Sequence, residues 1–332
     1  MLQLEQTFSH FLLQHQEKYN RTYHFLILMD AIVTAAKRIQ YYYLTGALKG
    51  VLGMAGMKNV QGEDVLKMDE IANEITKHYL KTTGRVIYAI SEEEKDIIQM
   101  NADGGRYFVY FDPMDGSSNV PHNLPIGFLF GVAKRNLEGP EDMHLRAGNE
   151  YIAAGMFVIP TGTFTIALRD AGCWRFHIDE MMNYVKPFQM VLPDSPKTWE
   201  LCYNSANIGT FDAGVQKWIA EQSPKYAFRY MGSLAGDFHR VLANGGLFMY
   251  PAIKNHPDPK KNKPKGKLRL MYECSVVSFM AREAGGYAVD ESGGSILDVA
   301  PGDLHQRTAM YVGSRPLVED ISTVLKKSAG GA

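Results

Sequence analysis

The chain has 332 residues, 45% hydrophobic and 21% charged, with a formal net charge of −1 at pH 7. That length exceeds one typical hydrophobic core, so two adjoining domains are expected, and the near-neutral charge argues against nucleic acid as the main partner. No apolar run approaches the ~18 residues of a membrane span, Met1-Leu2-Gln3-Leu4-Glu5 lacks a basic signal-peptide start, and Cys173, Cys202 and Cys274 are widely spaced; a cytoplasmic chain with reduced thiols and no membrane partner is expected.

Residues 5–19 and 24–44 read as helices, the second with Ala35, Ala36, Ile39 and Tyr43 on one face. Residues 45–62 hold five glycines and read as a mobile loop, with a plain connector as the alternative. Glu63 and Asp69 flank the start of a helix over 65–81 that turns Ile71, Ile75 and Leu80 inward. Val86 to Ile90 is a buried strand ending at Glu92-Glu93-Glu94. Three acids in a row commonly open a solvated helix, where the dipole favours them.

Tyr107 to Phe111 is a second buried strand, and Pro113 biases Asp112 away from the helical region, so the strand should end there. Asp115 follows in a turn that Gly116 can take at positive φ, and Ser117 and Ser118 add hydroxyls and backbone N–H groups. Two carboxylates at a strand end, with the Met114 carbonyl between them, suit a hard divalent cation; the glycine-serine turn suits phosphate oxygens. An ordinary Asp-Pro turn with an Asx cap shares the first residues but not the strand before or the Gly-Ser-Ser after.

Further strands are expected at 127–134 and within 150–168, turning at Pro160-Thr161-Gly162, with a polar loop at 135–149. Three prolines in 186–198 mark a domain boundary, giving 1–190 and 191–332 as the two domains. The second half alternates helices at 212–220, 235–244, 271–284 and 315–327 with strands at 246–250, 286–290 and 309–313, which argues α/β layering. Residues 254–265 carry five lysines and three prolines and read as a solvated loop or a basic funnel for an anionic substrate.

The string Phe111-Asp112-Pro113-Met114-Asp115-Gly116-Ser117-Ser118-Asn119 resembles the signature of the metal-dependent, lithium-sensitive sugar and inositol phosphatases. Arg229-Tyr230-Met231-Gly232-Ser233, Gly246 to Pro251 and Gly266 to Glu273 narrow the likeness to the class I fructose-1,6-bisphosphatases. The resemblance implies a layered α/β/α/β/α fold and hydrolysis of fructose 1,6-bisphosphate to fructose 6-phosphate and phosphate, as in gluconeogenesis. It implies Glu92, Asp112, Met114, Asp115, Glu273 and Glu63 around two or three Mg²⁺ ions per subunit, with Mn²⁺ able to substitute. Glu63 stands where aspartate is usual.

By the same likeness, Glu93 and Asp69 activate water; Asp115, Gly116, Ser117 and Ser118 hold the transferred phosphoryl group; and Asn204, Arg229, Tyr230, Tyr250 and Lys267 hold the second phosphate. Taken singly, Tyr250 reads as core and Lys267 as solvated. The arginine matching Arg229 acts across a subunit interface in that family, implying a homotetramer, or at least a dimer; the competing readings have Arg229 serving its own site or pairing with Asp237. Asn207 replaces a phosphate-contacting tyrosine, so sedoheptulose 1,7-bisphosphate is a second candidate substrate. A non-catalytic sugar-phosphate sensor is the reading from another class, disfavoured by five clustered acids that repel without metal.

The family's AMP-binding turn is replaced by Arg21-Thr22-Tyr23-His24-Phe25-Leu26, although Lys134 and Tyr107 fall where other AMP contacts lie, so weak or absent AMP inhibition is expected. Residues 135–149 carry none of the cysteines of the family's redox-regulated branch.

Overall fold

Residues 5–19, 22–49, 54–58, 64–101, 104–136 and 144–330 are described by the structure, a computed structural model. Helices α1 (Phe8–Tyr19) and α2 (Tyr23–Lys49) lead into a small ribbon, β1 (Met54–Lys58) with β2 (Asp64–Leu66), and helix α3 (Lys67–Thr82). There follow β3 (Val86–Ser91), β4 (Ile98–Gln99), β5 (Tyr107–Asp115), β6 (Ile126–Lys134), β7 (Tyr151–Ile159), β8 (Thr163–Leu168), β9 (Gly172–Ile178) and β10 (Tyr184–Met190). They form one sheet in the order β10-β9-β8-β7-β6-β5-β3-β4, in which only β3 and β5 run parallel.

The remaining elements are β11 (Glu200–Cys202), α4 (Ala213–Gln222), β12 (Ala227–Phe228), α5 (Leu234–Asn244), β13 (Gly246–Tyr250), β14 (Leu268–Arg269), α6 (Ser275–Glu283), β15 (Tyr287–Val289), β16 (Arg307–Thr308), β17 (Met310–Gly313) and α7 (Arg315–Gly330). A second sheet has the order β12-β11-β13-β17-β15, and β14 pairs with β16.

Alternation along the strands divides the apolar side chains among three cores. Val109, Phe128 and Phe157 face α1, α2 and α3, packing with Phe8, Phe25, Ile39 and Met68. Phe108, Leu129 and Met156 face the other way, against Phe238 and Val241 of α5 and Val277 and Phe279 of α6; Phe248 and Val312 of the small sheet close that layer. Leu247, Met249 and Tyr311 cover the far side of the small sheet with Trp218 of α4 and Val318 and Ile321 of α7. The result is the five-layer α/β/α/β/α arrangement expected.

Several boundaries differ from expectation. β5 does not end at Phe111 but runs on to Asp115, because a bulge opposite β6 absorbs Pro113: Asp112 faces Leu129 while Asp115 faces Gly127. Within the 45–62 stretch, α2 continues to Lys49 and Met54–Lys58 forms a strand, the rest lying outside the described residues. Pro187, the first of the boundary prolines, sits inside β10, tolerated because β10 is an edge strand with a register shift at Val185–Phe188. The start of the 271–284 helix is a single π-helical turn, Leu270–Cys274. In α3 the fully buried positions are Met68, Asp69, Ala72, Asn73, Thr76 and Leu80; Ile71 and Ile75 are only half-buried. All three cysteines are free and buried. Among the described residues no helix is long and apolar enough to cross a membrane.

Candidate active site

The carboxyl ends of the parallel pair β3 and β5 lie side by side, the position at which open α/β sheets present ligand sites. The bulge in β5 turns both of its aspartates to use. Asp112 Oδ1 accepts from the Met114 N–H at 2.9 Å, an Asx turn that fixes the bend. Asp115 is held from the other side of the molecule: its carboxylate accepts from the Ser233 hydroxyl (2.7 Å), the Leu234 N–H (3.0 Å) and the Ala235 N–H (2.8 Å), all at the start of α5. Glu273 arrives from the π-helical turn before α6, and its Oε2 accepts from the Arg269 N–H at 2.6 Å. Asp112, Asp115 and Glu273 are 2%, 7% and 5% exposed, and their ligand oxygens lie within 4.8 Å of one another.

Such a cluster is electrostatically unfavourable by itself. Burial first, then Glu92, Asp115 and Glu273, push the Asp112 carboxyl well above its ordinary range. Glu273 is pushed up to about 8 by burial and then by Glu92, against the pull of Arg269. Asp115 is raised by burial, although the α5 donors oppose the shift. Hard, buried, mutually repelling oxygens fit a hard divalent cation, which would replace the protons they otherwise retain.

Around this cluster is one cavity of about 410 Å³. Asp69 of α3 and the Met114 and Glu93 positions line it, as does Glu92, whose carboxylate pairs with Arg269 at 3.0 Å. Glu94 turns away, accepting from Lys77 (2.6 Å) and Asn73 (2.8 Å). Gly116 takes φ 77°, where a Cβ would come within 2.8 Å of the Ser233 Cβ, and Ser117 and Ser118 follow it along the wall. The opposite wall brings Asn204, Tyr230, Tyr250 and Lys267 together. Asn204 Oδ1 accepts from the Ala206 N–H at 3.1 Å, leaving its amide N–H₂ to face a ligand. Burial raises the Tyr230 phenol, which keeps it a donor. Gly266 at φ 91° passes so close to Thr308 and Ala309 that no side chain fits, and this seats Lys267 at the rim.

Glu63 lies outside the described residues. One described site residue is not in this cavity. Arg229 is exposed and absent from the lining, with its Nη1 donating to the Phe228 carbonyl at 2.7 Å. The pairing of Arg229 with Asp237 is not observed: Asp237 accepts from the Met231 N–H (2.8 Å) and Gly232 N–H (3.1 Å), holding the loop beside Tyr230. Burial pushes Asp237 up to about 7 against those two donors. Sequence reasoning gave no role in the site to Arg269 or Ser233, and named Asp237 only as a partner for Arg229. The signals present were a basic residue four before Glu273 and a serine before a helical run, an N-cap pattern.

A buried acid trio sharing one cavity with an ammonium and phenol donors, on a five-layer α/β fold, is the chemistry of a metal-dependent phosphatase. Two family models match, "Fructose-1-6-bisphosphatase, N-terminal domain" over residues 6–186 and "Fructose-1-6-bisphosphatase, C-terminal domain" over residues 193–326. The chain is 67% identical over 329 residues to the "Fructose-1,6-bisphosphatase class 1" of Syntrophus aciditrophicus (strain SB), covering 98% of this chain and 99% of that protein. Among solved structures it is similar to Leishmania major fructose-1,6-bisphosphatase in its holo form, with TM-score 0.88 and 29% identity over 98% of this chain and 100% of that one. The T-state form of the same protein gives TM-score 0.83 and 29% identity, over 98% and 99% of the two chains. The chain belongs to the fructose-1,6-bisphosphatase family of phosphoric monoester hydrolases.

Proposed function

We propose that the protein hydrolyses the 1-phosphate of fructose 1,6-bisphosphate, using Mg²⁺ held by Asp112, Asp115, Glu273, Glu92 and the Met114 carbonyl. The observation that carries this reading is that the acid trio and the donors Asn204, Tyr230, Tyr250 and Lys267 share one cavity. A monophosphatase needs only the first set; a substrate with two phosphates needs both. Bound there, the metal supplies a Lewis acid for the phosphoryl oxygens and lowers the pKa of a water. The chain's own groups do the rest. Ser117, Ser118 and the backbone after Gly116 cradle the transferred phosphoryl group. Glu93 and Asp69 orient the attacking water and take its proton. The ammonium of Lys267, the phenols and the Asn204 amide bind the second phosphate, which aligns the first.

Two or three Mg²⁺ per subunit suit the number of carboxylates. A division into 1–190, with the metal loops, and 191–332, with the sugar-phosphate donors, is supported by the separate sheets and by the extents of the two family models. The free, buried cysteines support a cytoplasmic setting. An exposed Arg229 outside its own cavity supports a homotetramer in which it serves a neighbour.

Phosphate release on a panel of fructose 1,6-bisphosphate, sedoheptulose 1,7-bisphosphate, fructose 1-phosphate and an inositol monophosphate, with Mg²⁺ and with chelator, tests the reading. Release from fructose 1,6-bisphosphate that requires the metal is expected. Equal rates on the monophosphates would remove the second-phosphate role of the Asn204–Lys267 wall, and undiminished release in chelator would remove the metal.

A further inference from the structure

A second cavity, of about 220 Å³, shares no lining residue with the site above. It lies between α6, the start of β15, the first residue of α7 and the turn Ile296–Asp298, with Asn149 at one side. Ser278 of α6 lines it and is 1% exposed, yet among the described residues its hydroxyl has no hydrogen-bond partner. A helical serine can return its proton to the carbonyl four residues back, here Cys274; that bond is not made. A buried hydroxyl left unpaired is costly, and one on a residue of a cavity wall points to an occupant.

The other lining groups indicate what that occupant is. Arg282 donates through Nε (3.1 Å) and Nη2 (2.8 Å) to a single oxygen of Glu283, which leaves Nη1 for another acceptor. Among the described residues Arg315 makes only long bonds, to the Gly286 carbonyl (3.3 Å) and to Glu319 (3.5 Å). Both guanidiniums are steadied by rings, Arg282 over Phe279 at 4.6 Å and Arg315 over Tyr287 at 5.1 Å. Two guanidiniums on the wall of one cavity can recognise an acid group. Asp298, which accepts from Asn149 Nδ2 at 2.9 Å, adds a carboxylate to the lining. It disfavours a bare dianion and favours a ligand that also brings hydroxyl donors.

We propose that this cavity binds a small hydroxylated anion, a phosphate or carboxylate of about three carbons, its acid group between Arg282 and Arg315 and its hydroxyls toward Ser278 and Asp298. The volume falls below the ~300–1,000 Å³ of pockets for drug-sized molecules, which favours a ligand smaller than a nucleotide or a sugar bisphosphate.

Isothermal titration calorimetry of the metal-free full chain, with glycerol 3-phosphate in one arm and glycerate in the other, tests this. At least one of the two should bind about tenfold more tightly than inorganic phosphate. Arg282→Met and Arg315→Met should each weaken that binding about tenfold, and Ser278→Ala severalfold, whereas Lys267→Met should leave it unchanged. Thermal melts check each variant's fold, and Arg282→Lys and Arg315→Lys, which keep the charge but lose the fork, replace any methionine variant that fails to fold. Binding that vanishes in Lys267→Met and survives in the arginine variants belongs to the acid-cluster cavity and overturns the proposal. So does the absence of heat with both anions at ~10 mM, a concentration that would reveal even millimolar affinity, or inorganic phosphate binding as tightly as either.

Discussion

Asp112 and Glu92 meet at the ends of neighbouring parallel strands, where the Glu92 N–H extends the ladder to the Phe111 carbonyl at 3.2 Å. Each therefore presents a carboxylate that the backbone has already fixed. Asp112→Asn and Glu92→Gln should lower turnover by about 10²–10³-fold or more while leaving melting temperature near wild type, since each removes a negative charge from the proposed metal-binding set. Glu94→Gln should stay within about threefold, because Glu94 pairs with Lys77 on a partly exposed surface, an interaction worth ~0.2–1 kcal/mol. Similar losses in all three variants would show that the acids of the run are wrongly assigned. The pH dependence has a definite sign. Asp112 and Glu273 are raised above their unfolded values, so without metal the native chain holds protons that the unfolded chain has released. Stability in chelator should accordingly be greatest at acid pH and fall as pH rises through about 8. Added Mg²⁺ should raise the melting temperature more at pH 8 than at pH 6; an equal rise at both would contradict the cluster's assignment as the metal site.

At the level of elements, the start of α2 decides whether AMP can act. An anion docks at a helix start only where N–H groups can be reached past small residues. Here Thr22 is hydrogen-bonded to the Tyr107 hydroxyl at 3.0 Å, and Phe25, 1% exposed, packs edge-on to the Tyr107 ring. AMP titrated at saturating Mg²⁺ should leave activity within about twofold up to millimolar concentration; potent cooperative inhibition would refute this. The same elements show what a sequence can and cannot reveal. The five apolar residues of β5 announce a strand, and the Gly-Ser-Ser after it announces an anion turn. That the strand passes through Pro113 is illegible, because the bulge exists only against β6, a partner remote in sequence. In α3, apolar spacing selects Ile71 and Ile75 as the inner face, yet the helix buries Asp69 and Asn73 instead. Asn73 bonds both Ser91 and Glu94, so this face is polar because it meets the acidic strand end, a tertiary fact. Arg269 stood in plain view within a recognised string, but its ion pair with Glu92 depends on how β14 approaches β3.

For the whole molecule the open matter is where Arg229 acts. Two lobes already meet at one carboxylate, since Asp115 at the end of β5 caps the start of α5. Tyr230, one residue after Arg229, lines the cavity, whereas Arg229 itself is exposed and outside it. With Asp237 committed to the Met231 and Gly232 N–H groups, that acid no longer explains the arginine. Its guanidinium either swings back to its own site or reaches the second phosphate of a neighbour, for which a planar fork on a long apolar stem is suited. Complementation distinguishes the two. Arg229→Ala keeps its acid cluster and lacks the guanidinium; Asp112→Ala has a damaged cluster and can still donate Arg229. Each alone should be poorly active. When the two are mixed and allowed to exchange subunits, the Arg229→Ala subunits of a hybrid regain a complete site, and activity should recover partially, toward at most about half of wild type per subunit because the Asp112→Ala sites remain dead. If mass spectrometry confirms hybrids and no activity returns, Arg229 does not act in trans and the assembly is not required to complete the site.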